Sequence, residues 1–117
     1  MKHLLLAALL GLAAPIDAPA QDMRFDGATA WLNSPALSAA ELRGKVVLVQ
    51  FGTYTCINWL RTLPYVRAWS QKYGQGLAVI GVHTPEFAFE TRLENVLRKL
   101  HQMKIEYPIA KIGRAHV

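Results

Sequence analysis

The 117-residue chain has one cysteine, Cys56, and that scarcity sets the first limits on its chemistry. A single thiol cannot close an internal disulfide, and no pair of histidines, acids or cysteines has metal-ligand spacing, so neither a metal nor another cofactor is expected. Runs of positive charge are also missing. The formal charge is +5, but between residues 21 and 110 ten scattered lysines and arginines face seven acids. With no aromatic interleaving among them, a nucleic-acid partner is not expected. Nor is there a glycine-rich phosphate loop: Gly74 and Gly76 follow a helical pattern, the reverse of the order such loops need.

Long apolar runs are absent too. The longest, Leu4 to Ala14, has eleven residues and is interrupted by Gly11, well short of the roughly 20 needed to cross a bilayer as a helix. Preceded by Lys2 and His3 and followed by Ala18-Pro19-Ala20, it reads instead as a signal peptide over residues 1–20, cut after Ala20. The mature chain is then exported to the periplasm and keeps no stable membrane span. Disulfides persist in such a compartment, which makes a lone cysteine unusual there.

What remains is enough for one small α/β domain, with 52% hydrophobic residues and 18% charged. Ala30-Trp31-Leu32 suggests a short strand ending at Asn33-Ser34-Pro35, and Ser38 with Glu41 has capping-box spacing. "KVVLVQF" carries an unbroken run, Val46 to Val49, which predicts a strand buried on both faces. Ile57, Leu60, Leu63, Val66, Trp69 and Tyr73 then recur every three or four residues, predicting a helix that Gly74 ends and Pro64 bends. "LAVIGVH" predicts a second buried strand, and Leu93, Val96, Leu97 and Leu100 a second helix to about Gln102. "EYPIA" begins a third strand. Alternating elements of this kind imply a mainly parallel sheet with right-handed crossovers. Trp31, Tyr54, Trp69 and Tyr73 are expected in the core or at its rim rather than against a cofactor.

The first strand delivers Cys56 to the first turn of the following helix. Chemistry in open α/β sheets gathers at the carboxyl ends of strands, and unpaired amides with the helix dipole favour a thiolate there. His83 and Glu86 follow the second strand to the same edge, where they could tune the thiol or carry its proton; otherwise His83 caps a strand and Glu86 is solvated.

The stretch "VVLVQFGTYTCINWLRTLPYVRAWSQKYGQGLAVIGVHTPEFAFE" resembles exported thioredoxin-like redoxins of the TlpA/DipZ-like type over roughly Phe25 to Ala110. The resemblance implies a thioredoxin-like sandwich and thiol-disulfide exchange with thiols or disulfides of exported proteins, or with a small thiol reductant. Cys56 matches the attacking cysteine and Pro64 the helix-kinking proline, with Thr53 and Tyr54 beside the site. Trp59 stands where the resolving cysteine belongs, and Gly52 where a tryptophan is usual. Each departure needs one base change, so genuine divergence and a misread base both fit.

With Trp59 at that position the first half of dithiol exchange is retained and the release step is lost unless an external thiol supplies it. Two other functions stay open. One is a one-cysteine, peroxiredoxin-type antioxidant enzyme, since Thr53-x-x-Cys56 has its spacing, although Val49 replaces that family's proline. The other is a non-catalytic binding module using the surface around Tyr54 and Trp59. The resemblance also implies that residues 21–110 are a partial domain lacking the cis-proline loop, last hairpin and closing helix. Residues 111–117, "KIGRAHV", can be back-translated to a common sequencing adapter, which makes a non-native tail the expectation there.

Overall fold

A computed structural model describes residues 23–113. The signal-peptide reading of residues 1–20, with its cut after Ala20, lies outside the described residues. So do the last four residues of the expected tail.

Four strands form one mixed sheet in the order β1-β4-β3-β2. Strand β1 is Ala28–Leu32, β2 Val46–Gly52, β3 Leu77–His83 and β4 Ile109–Ile112. Strands β2 and β3 run parallel in unbroken register from Val46↔Leu77 to Gly52↔His83, so the carboxyl ends of both strands meet. Strand β4 runs parallel to β3, and β1 closes the other side antiparallel to β4. Lys111 and Ile112 are the last residues of β4 and pair with Ala30 and Ala28.

Local sequence accounts for most boundaries. Strand β1 stops at Asn33, whose backbone turns to φ 64° while its amide donates to the carbonyls of Ile105 and Tyr107 at 2.9 and 3.1 Å. Asparagine tolerates that left-handed conformation better than most residues. Helix α1 is short, Ala39–Leu42, and the Glu41 carboxylate accepts from the Ser38 amide at 2.7 Å at its start. Helix α2 spans Ile57–Lys72 with Pro64 inside it. A 3₁₀ turn at Ala88–Thr91 precedes α3, Leu93–Gln102.

One face of the sheet is covered by α2 and α3. Leu63 and Val66 of α2, Val96 and Leu100 of α3, and Val79 and Ile109 of the sheet form its core. Strand β3 is buried as expected, from Val79 through His83. Strand β2 is not, which corrects the expectation of burial on both faces: Val46 and Phe51 are 70% and 66% exposed. It lies at the sheet's edge, and Val49 and Phe51 line an open groove with Val82, Ala110 and Ile112 on the face away from α2. Of the four aromatic residues expected in core or rim, Tyr54 is buried, whereas Trp69 and Tyr73 are about half exposed.

Candidate functional site

The parallel ends of β2 and β3 bring Gly52 beside His83, and the chain leaves β2 through Thr53, Tyr54 and Thr55 to reach Cys56. That cysteine is the N-cap of α2, one residue before the first turn in which the spacing had placed it. Its amide donates to the Thr53 carbonyl at 3.1 Å, and its carbonyl accepts from Leu60 at 2.9 Å. The thiol is free and half-buried. The first turn of α2 contains no acid, and its unpaired amides and the positive end of the helix dipole lie beside Cys56.

Trp59 stands one turn along α2 and is 8% exposed. Its burial depends on Gly52. A Cβ at position 52 would lie 2.8 Å from Trp59 Cγ and 3.1 Å from its Cβ, and closer still to Cδ1. The indole thus fills space that any side chain at position 52 would need. Only about 10 Å³ remains between Trp59, Gly52, Gly81 and His83, no more than one water requires.

Tyr54 and Trp59 are 7% and 8% exposed, so these two side chains contribute little to the surface around them on which the binding-module reading drew. Tyr54 turns inward, with its ring stacked parallel to His83 at 6.0 Å and its hydroxyl donating to the Phe89 carbonyl at 3.3 Å. Pro64 lies further along α2 with its ring exposed.

His83 is 6% exposed, and its Nε2 is 2.9 Å from the Glu90 carbonyl oxygen. A carbonyl only accepts, so Nε2 carries the proton. Burial holds His83 below its ordinary value of 6.5, against the opposing pull of Glu90. Glu86 is exposed, and its contribution to the site is its backbone amide.

The carboxylate built into this edge is Glu90, which no motif or spacing had marked. It is 0% exposed. One oxygen accepts from the amides of Glu86 and Phe87 at 2.8 and 3.1 Å, and the other accepts a hydrogen bond from the Thr55 hydroxyl. The Thr53 hydroxyl adds a weaker pull, its geometry falling short of a full hydrogen bond. Burial acts to raise the pKa of Glu90, but these donors together outweigh it and hold the group below 4.5. The only sequence signal would have been that Glu90 comes seven residues after His83, where the chain must turn back over the strand ends.

Among the described residues no cluster of three metal-ligating side chains occurs, and no helix is long and apolar enough to cross a membrane. What the edge offers is one half-buried cysteine at a helix start, packed against the core, in a hydrogen-bonded polar frame without a second thiol.

No family model matches the chain. Protein DipZ of Mycobacterium bovis is 51% identical over 88 residues, which cover 72% of this chain and 13% of that protein. NHL repeat-containing protein 2 of Bos taurus is 36% identical over 83 residues, 68% of this chain and 11% of that one. The chain therefore spans only about an eighth of the length of the curated relatives it matches. Among solved structures, a thioredoxin-like protein in its oxidized form superposes with a TM-score of 0.67 at 25% identity, over 75% of this chain and 60% of that one. A thiol-disulfide isomerase from Corynebacterium glutamicum shares the fold at 0.73 and 24% identity, over 83% and 65%. With Cys56 at the start of the helix that follows a parallel strand, and with these relatives, the chain belongs to the thioredoxin-like redoxin family.

Proposed function

We propose that the chain is a thiol-disulfide oxidoreductase of the cell envelope that works through one thiol, Cys56, without a resolving cysteine. The observation that carries this reading is the pairing of a free, half-buried Cys56 at the start of α2 with a buried Trp59 one turn later, fitted against Gly52. Export is supported by the basic start, apolar run and Ala18-Pro19-Ala20 of the leader.

In the first step the Cys56 thiolate attacks one sulfur of a substrate disulfide. A new sulfur–sulfur bond forms, the old one breaks, and the departing sulfur leaves as a thiolate that takes a proton from solvent. No second thiol follows within the helix, so the mixed disulfide persists. An external thiolate attacking the substrate's sulfur frees Cys56 again and closes the cycle. Substrates of this kind are disulfides of other exported proteins, with a small thiol as the reductant.

The peroxidase alternative finds less support. Thr53 is 1% exposed, with its hydroxyl turned away from solvent, where it is poorly placed to orient a peroxide arriving at Cys56.

The test is intact-mass analysis of the chain incubated with glutathione disulfide. One glutathione adduct per chain, lost in Cys56→Ser, is expected; a folded wild-type chain that forms no adduct would overturn the proposal.

A further inference from the structure

We propose that Glu90 is a positioning residue: its buried carboxylate latches the segment that carries Cys56 to the loop after β3, and so holds the thiol at the start of α2. The inference rests on Cys56 being the reactive group, as proposed above, but concerns what fixes it in place.

A carboxylate with 0% exposure is costly unless every lone pair is engaged. Here the engagement joins two separate segments. Amides of Glu86 and Phe87 hold one oxygen, which folds the loop around the carboxylate, while the Thr55 hydroxyl binds the other. Thr55 is the residue immediately before Cys56. A second tie runs in parallel, from the Tyr54 hydroxyl to the Phe89 carbonyl. A third fixes the base of the loop, from His83 Nε2 to the Glu90 carbonyl. Residues 53–55 therefore have little freedom, and their geometry sets where α2 begins. Hydrogen bonds to an ionised acceptor are about twice as strong as neutral ones, so the Glu90 tie is the strongest of the three.

Two variants of the full chain separate this role from general stability. Thr55→Val preserves shape and removes only the latch bond. Glu90→Gln keeps an acceptor for the two amides and presents an NH₂ that can donate to Thr55, so it should rescue the latch, whereas Glu90→Ala should not. Hydrogen exchange read at the hydrogen-bonded amides of Cys56 and Leu60 should rise on the order of tenfold in Thr55→Val, the effect of losing one charge-assisted bond. It should rise similarly in Glu90→Ala, with Glu90→Gln near wild type and the amides of β3 unchanged in Thr55→Val. Exchange at Cys56 and Leu60 unaltered in Thr55→Val would overturn the proposal, as would Glu90→Gln matching Glu90→Ala. This readout is independent of thiol chemistry. A wild-type Cys56 that forms no mixed disulfide would defeat the oxidoreductase reading while the latch still stood or fell on its own result.

Discussion

Trp59 of α2 occupies the space into which a side chain at Gly52 of β2 would project. The two positions at which the resemblance implies a departure from the redoxin pattern are therefore in contact. Tryptophan cannot stand at both positions in this packing.

The steric coupling is measurable. Gly52→Ala should destabilise the chain by about 1–3 kcal/mol, the usual cost of overpacking. In a Trp59→Cys background the same substitution should lose the clash with the indole and keep only the cost of a side chain at the φ of 159° that Gly52 adopts. A double-mutant cycle by urea denaturation should give a coupling of about 1–3 kcal/mol; additive costs would mean that the indole sits elsewhere.

Acid should weaken the fold in two separate windows. His83 has a lowered pKa in the fold, so the unfolded chain binds more protons as pH falls through 6.5, and stability declines from there downward. Glu90 is also lowered; its contribution is present above 4.5 and is lost as pH falls below that value. Thermal unfolding midpoints should drop between pH 7.5 and 5.5 in wild type, and His83→Gln should flatten this first decline while leaving the second. An unchanged slope in His83→Gln would assign the decline to other groups.

Much of the framework was legible from local pattern. The i, i+3, i+4 recurrence of Leu63, Val66 and their neighbours marked α2, and the run from Val79 to Val82 marked β3, because side-chain periodicity follows directly from backbone geometry. Relations across the fold were not. Val46 to Val49 looks the same in a central strand as in an edge strand, so the exposure of β2 could not be read. Trp59 gave no sign of burial because the glycine that admits it lies on another element, seven residues earlier. Glu90 was hidden for the same reason: its donors come from two loops, and exposed Glu86 nearby looked equally suitable.

Exposure of β2 carries its own consequence. Phe51 is 66% exposed beside Val49, Val82, Ala110 and Ile112, an apolar patch on an edge strand, the usual setting for self-association. Phe51→Lys in the 117-residue chain should reduce light scattering at high concentration and change the unfolding free energy by no more than about 0.5 kcal/mol, as for other surface substitutions. Unchanged scattering would place the sticky surface elsewhere.

The central claim is that Cys56 acts without a resolving partner, and catalytic turnover tests it most directly. In an insulin-reduction assay with limiting external thiol, the wild-type chain should stop at about one mixed disulfide per molecule. A Gly52→Trp/Trp59→Cys chain, with the second thiol restored, should instead release reduced insulin and end with a disulfide between Cys56 and the new thiol, turning over again only as external thiol reduces it. Equal turnover by the two chains would contradict the account.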